Sequence, residues 1–349
     1  MRVERFRYPG TYAWRHAAYM AAGIAGAAAG GAGGAALAAG ALASLELDFA
    51  GRSQWLARLE PRGEGANAVG VVPADGASGA PRTLVLVAHH DTARTGLAWR
   101  HPWLGGVGTN RRIARLRGRP GGDVMDSLTT VPKLALLAAA AGCATGSRRL
   151  RAGAAATLAF GAALALDVAR SPHVPGASDN ATGVAAVLAL TERFAREPLP
   201  GIDVVALLTG CEESGMGGMA AWLRGAQLDP ATTLVLGLDT LGAGEPLVVS
   251  AEGSLRPWRY RERDLAWADR GADRAGLPRP QRVQLGGWTD PLLAVHAGLP
   301  AVSILSARDG WFTNYHQPTD TPDRVDWDSV DRCVQLAFGT AAAWAGAEG

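Results

Sequence analysis

The chain has 349 residues, 48% of them hydrophobic and 19% charged, with a formal net charge of +2. That length and apolar content exclude a disordered chain and suit one large α/β domain or two small ones; the near-neutral charge gives no reason to expect a nucleic-acid partner. Three widely spaced cysteines, Cys143, Cys211 and Cys333, make neither a disulfide framework nor a CxxC metal pair and read as buried or free thiols.

Residues 1–16 form a polar segment with a basic excess, Arg2, Arg5, Arg7 and Arg15 against Glu4. No charge follows from Ala17 to Leu45. This Ala/Gly-rich run, 17–45, is expected to be an apolar helix, long enough to anchor the chain in a bilayer, which needs roughly 20 residues. A cleaved signal, with Ala41-Leu42-Ala43 as its site, and a low-complexity segment outside any membrane are the alternatives. Gly26, Gly30 and Gly34 lie four apart, a spacing that lets helices approach closely.

From residue 46 to 349 the pattern is that of a globular domain. Ala66–Val72 and Thr83–Ala88 read as strands joined by a Pro/Asp/Gly-rich turn. A helix is expected over 181–197, a buried strand at Val204–Thr209 and a helix around Gly218–Arg224. Leu234–Leu238, Leu247–Ser250 and Ala301–Leu305 read as strands, and Trp327–Ala345 as a closing amphipathic helix. Strands alternating with helices predict a mixed, mostly parallel central sheet with helices on both faces. An insertion over 97–170 interrupts this domain. It holds an Arg-rich loop, Arg111 to Arg119, and an apolar hairpin at 131–166 whose arms flank the basic tip Gly146-Ser147-Arg148-Arg149-Leu150-Arg151. Lys133, the single Lys of the chain, would snorkel at one end of an arm. If the hairpin enters a membrane, its tip and the basic N-terminus face the cytoplasm and the globular domain lies outside; a soluble helical cap is the alternative.

Five short motifs fall at strand ends, where ligands bind in open α/β sheets. They are Ala88-His89-His90-Asp91, Ser178-Asp179-Asn180 opening a helix, Gly210-Cys211-Glu212-Glu213-Ser214, Leu238-Asp239-Thr240, and Asn314-Tyr315-His316 with Asp320 downstream. Singly, each has an ordinary structural reading: a satisfied histidine, a helix cap, a loop acid. In extended chain His89 and Asp91 point to one side, so Asp91 can orient a ligating His89. A carboxylate such as Asp179 can bridge two cations about 3.5–4 Å apart. Of two adjacent glutamates, one can bind metal while the other takes a proton from water. His and carboxylate ligands without Cys suit Zn²⁺ in an open site.

In order and wording the five motifs resemble metallopeptidase family 28, the zinc aminopeptidases and glutaminyl cyclases. Gly287-Trp288-Thr289-Asp290 and Ala297-Gly298-Leu299-Pro300 resemble the family's segment before the last ligand. The resemblance covers about residues 64–348, broken by the insertion. It implies two Zn²⁺ ions per chain, Asp179 bridging both, His89 and Asp239 completing one site, Glu213 and His316 the other. It implies Glu212 as general base, Asp91 as the holder of His89, and Asp320 as a support for the His316 loop. The implied function is an aminopeptidase acting on N-terminal residues of peptides, through metal-bound water activated by Glu212, probed against a one-zinc glutaminyl cyclase and a non-catalytic binding module. Tyr315 is an oxyanion donor by position only, and Arg94 either contacts substrate or caps a loop.

Overall fold

A computed structural model describes residues 1–75, 82–105, 123–124 and 127–347. The Arg-rich loop at 111–119 and much of the turn between the first two expected strands lie outside the described residues. Ten described strands form one sheet in the order β1-β2-β5-β3-β6-β10-β7-β9-β4, with β8 (Trp258–Arg259) beside β7. Its centre is four parallel strands: β5 (Ile202–Thr209), β3 (Arg82–His89), β6 (Thr233–Leu238) and β10 (Ala301–Ala307). Leu84 to Ala88 are at most 3% exposed, because both faces of a central parallel strand are covered and every side chain must be apolar. On one flank β2 (Arg62–Val72) runs antiparallel to β5, and on the other β7 (Glu245–Glu252) runs antiparallel to β10 and parallel to β9 (Gln281–Leu285). The remaining strand β4 is the pair Asp123–Val124 beside β9.

The basic segment 1–16 is not a free tail. Arg2–Pro9 is the edge strand β1, paired antiparallel with β2 along its length, and its exposed Arg2, Arg5 and Arg7 protect an otherwise open edge. The run 17–45, read as one apolar helix, is part of two: α1 (Ala13–Ala29) and α2 (Gly31–Phe49). The break falls at Gly30 and Gly31, both with positive φ (66° and 60°), a conformation open to glycine at little cost. The chain therefore folds back. Gly26 on α1 and Gly34 on α2 meet backbone to backbone, since a Cβ on Gly26 would stand 2.7 Å from the Gly34 carbonyl oxygen. Two of the three spaced glycines make the close approach, and the third is the hinge.

The insertion supplies a second hairpin. Its described helices include the short α3 (Leu97–Arg100), then α4 (Thr130–Ala144) and α5 (Arg148–Arg170), and α4 and α5 pack on α1 and α2 as a four-helix bundle. Tyr19, Leu45, Leu136 and Leu158 fill its interior. At the far end Arg151 Nη1 donates to the Ala27 carbonyl (3.0 Å), so the two hairpin tips lie together, away from the sheet. At the near end Lys133 does not snorkel. It is fully buried, paired with Glu46 of α2 and bonded to Ser254 Oγ (both 2.6 Å), which ties the bundle to the sheet domain. Because β1 sits in the sheet, the N-terminus and the arginine tip lie at opposite ends of the bundle, not together as the sequence suggested.

Helices α6 (Thr182–Arg196), α8 (Glu262–Ala275) and α10 (Trp327–Ala345) pack together against the sheet. Helices α7 (Gly217–Gly225) and α9 (Pro291–His296) form a separate group that touches β2, β5, β6 and β10, covering the other face. The chain is thus a mixed, mostly parallel α/β fold, with the helices closing both sides.

Candidate metal centre

The carboxyl ends of the four central strands bring the site together. His89 is the last residue of β3, aligned with Thr209, the last of β5. Glu212 and Glu213 follow in the next loop, Asp239 follows β6 directly, and the loop after β10 delivers His316. Asp179 arrives from the turn before α6, whose Asp179–Asn180 peptide is cis.

The Asp179 carboxylate lies between two histidines: Oδ1 is 3.3 Å from His89 Nε2, and Oδ2 is 3.2 Å from His316 Nε2. Asp239 Oδ2 stands 3.8 Å from His89 Nε2, and Glu213 Oε2 3.3 Å from His316 Nε2. Two groups that could hold a metal ion result, His89–Asp179–Asp239 and Asp179–Glu213–His316, sharing Asp179; a third combination joins His89, Glu212 and Glu213. Asp179 Oδ2, Glu212 Oε1, Glu213 Oε1 and His316 Nε2 are buried without a hydrogen-bond partner. His316 Nε2 and Asp179 Oδ2 stand 3.2 Å apart without forming a hydrogen bond. Native proteins rarely leave so many buried polar atoms unpaired, and cations are the fitting partner for this donor set.

The cluster concentrates charge-bearing groups in a buried space. Burial drives Glu212 well above the usual carboxylate range, with Glu213 and Asp290 adding to it, and it drives Glu213 up to about 7. Burial opposes charge on the histidines too, but the surrounding carboxylates prevail: His316 rises to about 9 and His89 rises as well. Asp179 is held low by those two histidines against the cost of burial.

Other polar groups fix the loops. The Asp91 carboxylate accepts from the backbone N–H of Glu212 (3.0 Å) and Glu213 (3.2 Å). The His89 ring is oriented by the Asp91 main-chain carbonyl, 3.0 Å from Nδ1, while the Asp91 carboxylate stands 3.7 Å from that nitrogen. Asp91 thus serves the glutamate loop with its side chain and His89 with its backbone. Asp320 repeats the device: its carboxylate accepts from the N–H groups of Ser178 (2.8 Å) and Asp179 (3.1 Å), joining the His316 loop to the Asp179 turn. Asn180 bonds Leu238, Gly183 and Thr240 and ties that turn to the end of β6. From the bundle, Arg15 Nη2 donates to the Ser214 carbonyl at 2.6 Å while its Nε meets the Asp48 carboxylate. Cys211, Thr240 and His316 hold left-handed backbone (φ 59°, 50° and 54°), a strain on the order of 1–2 kcal/mol each that clusters at functional loops.

The centre opens into a cleft of about 570 Å³. Its walls include residues that sequence motifs could not identify: Tyr12, His16 and Phe49 from the N-terminal hairpin, Trp99 and Thr129 from the insertion. Trp99 stands edge-on to His316 (centroids 4.2 Å apart), and Phe49 edge-on to Trp288 (4.8 Å). No motif marked them in the sequence; only His16 borders the uncharged run 17–45. Tyr315 stacks on His316 with centroids 3.8 Å apart, a packing role. Arg94 Nη1 donates to the Ser171 carbonyl at 2.7 Å, closing the base of the insertion.

No curated protein matches. An aminopeptidase from Aneurinibacillus sp. strain AM-1 is 15% identical, with a TM-score of 0.49, over 80% of this chain and 48% of that one, so the chain spans about half its length. A Zn-dependent exopeptidase from Parabacteroides distasonis is 14% identical (TM-score 0.48; 94% and 97% of the two chains). The glutaminyl cyclase of Bacteroides thetaiotaomicron is 13% identical (TM-score 0.49; 95% and 98%). The model of peptidase family M28 matches residues 160–341, more than half of the sequence and including four of the five motifs. The chain belongs to peptidase family M28.

Proposed function

We propose that this chain is a metal-dependent aminopeptidase that removes N-terminal residues from peptides, with Glu212 as general base. The observation that carries the reading is the Asp179 carboxylate, one oxygen toward His89 and the other toward His316, with Asp239 and Glu213 completing two groups. That geometry fits two Zn²⁺ ions: His89, Asp179 and Asp239 would hold one, Asp179, Glu213 and His316 the other. When bound, such ions supply Lewis acidity toward the scissile carbonyl and acidify water. Glu212 does the proton work. Its Oε1 is buried and free of hydrogen-bond partners, so it is available to take a proton from the attacking water and return it to the departing amine. Asp91 and Asp320 position the ligands through their backbone bonds, and Trp99, Tyr315 and Trp288 exclude water from the cleft.

The test is an aminoacyl anilide assay on the full chain, with zinc counted per chain. Glu212→Gln retains zinc and loses turnover by about 10²–10⁴-fold. Unchanged turnover removes Glu212 from the role; a single zinc with only cyclised product from a glutaminyl peptide replaces the peptidase by an acyl-transfer reading.

The bundle is read as membrane-inserted, with the sheet domain on the extracytoplasmic side. Helices Gly31–Phe49 and Arg148–Arg170 are long and apolar enough to cross a membrane, at about 28 and 34 Å against a hydrocarbon core of about 30 Å. Leu37, Leu137 and Phe160 face outward, and the exposed Arg148 and Arg149 cap the far end, where positive charge favours the cytoplasm. Release of the protein from membranes by a high-salt wash overturns this reading.

A further inference from the structure

A second apolar recess, partly open at the surface and enclosing about 610 Å³ with that open space included, lies between α1, α3, α4 and α5 and shares Tyr12, His16, Leu128 and Thr129 with the metal cleft. It leads from the centre into the bundle. Along α5 its wall runs from Val168, near the sheet, to Thr157, a distance of about 16 Å at the helical rise. No single amino-acid side chain fills that length. An extended peptide would place about four or five residues there, each bringing an N–H and a carbonyl that need partners. Beyond the shared mouth, Thr157 carries the one polar side chain among the described lining residues, and its hydroxyl already donates to Gly153 in its own helix (3.0 Å). Met20, Gly161, Leu164 and the half-exposed Phe160 line the rest, which stays partly open to the outer face of the bundle. Burying unpaired peptide groups against such a wall is costly, whereas a hydrocarbon chain has no polar group to leave unpaired and gains with every methylene more than the freedom it loses.

We propose that the substrate is an amide bearing a long unbranched alkyl chain, with the amide at the metal centre and the chain lodged in the bundle cavity. This rests on the amide-hydrolase reading above and names the substrate class for it. The chain can hang from either side of the scissile bond, and two substrate series separate these sources: leucine alkylamides, with the chain on the departing amine, and 2-aminoalkanoyl anilides, with the chain on the acyl side.

The experiment measures kcat/KM of the zinc-loaded full chain across both series, from ethyl to dodecyl. In one series the value rises about threefold per added methylene until the cavity is full. Ala165→Trp, near the mouth, flattens the rise from short chains onward, and Thr157→Trp, at the far end, cuts only the gain of the longest. The readout is the long-to-short ratio within each protein, so a general loss of activity does not mimic the effect. Binding of leucine dodecylamide and ethylamide to Glu212→Gln, followed by calorimetry, gives the same comparison without turnover. Hydrolysis of short substrates with no length dependence in either series overturns the alkyl-chain inference alone. Length-dependent binding with no hydrolysis of any amide by the wild type overturns the hydrolase reading instead and leaves the cavity as a lipid-chain site. A length dependence that both tryptophan variants leave intact assigns the chain to some other surface and overturns the proposal.

Discussion

The sheet domain and the helical bundle are held together in opposite ways. At the carboxyl end of the sheet, buried polar groups are abundant, and carboxylates clamp the ligand-bearing loops through backbone N–H groups: Asp91 for Glu212 and Glu213, Asp320 for Ser178 and Asp179. In the bundle the fit is one of small residues, with Gly26 against Gly34 and alanines such as Ala27, Ala38 and Ala139 in its far core. The first arrangement depends on particular charges, as do the bundle's near-end pairs Lys133–Glu46 and Arg15–Asp48, whereas the bundle's far end depends on the absence of side-chain volume. The comparison teaches that the two regions fail in different ways when altered, although both border the same cleft.

The largest expected effect belongs to the polar region. Asp179→Ala removes the carboxylate shared by both candidate metal groups. Zinc per chain falls toward zero, and turnover drops by about 10³-fold or more. A variant that keeps two zinc ions refutes the bridging role. In the bundle the sensitive quantity is volume. Gly34→Leu has no room beside the Gly26 backbone and costs about 2–3 kcal/mol in denaturation. Gly33→Leu, one residue away, meets nothing within 4 Å and costs less than about 1 kcal/mol. Equal losses in the two variants would abolish the contrast between close-packed and open faces.

The smallest expected effect sharpens the charge side of the comparison. Glu252 is fully buried, accepting from Tyr260 Oη (2.5 Å) and from the Thr289 N–H (2.6 Å) and hydroxyl (2.7 Å), and so anchors the Gly287–Asp290 loop. Burial pushes its carboxyl from the ordinary 4.5 up to about 8. A pKa raised on folding favours the folded state fully below about 4.5, and that contribution is lost as the pH rises through 8. Glu252→Gln mimics the neutral acid. It therefore removes most of the decline in stability between those limits. Denaturation curves at several pH values check this, and an unchanged slope excludes Glu252 as its source.

The chemistry-bearing positions were legible in the sequence because they sit at fixed offsets from strand ends. An apolar run ending in His89, another ending before Glu212 and Glu213, and a third before Asp239 locate both the central strands and their products. Parallel strands buried on both faces must be continuously apolar, and a polar residue breaking that run is conspicuous. The weaker edge elements escaped. β1 alternates charged and half-buried residues, and β9 is short and half polar, so neither stands out from a loop.

The sequence by itself determined the family, the order of the central strands' ligand loops and the two apolar hairpin arms of the insertion. Only the tertiary structure decided that residues 17–45 turn back at Gly30, that Lys133 pairs inward with Glu46, and that Tyr12, His16 and Phe49 wall the metal cleft. The reason is that local pattern reports what a segment buries, not what it buries against. A glycine hinge such as Gly30 and a glycine contact such as Gly26 have the same letter, and only packing against Gly34 separates them. The cleft shares that origin: its chemical side is written in motifs, and its apolar side exists only once the bundle folds over it.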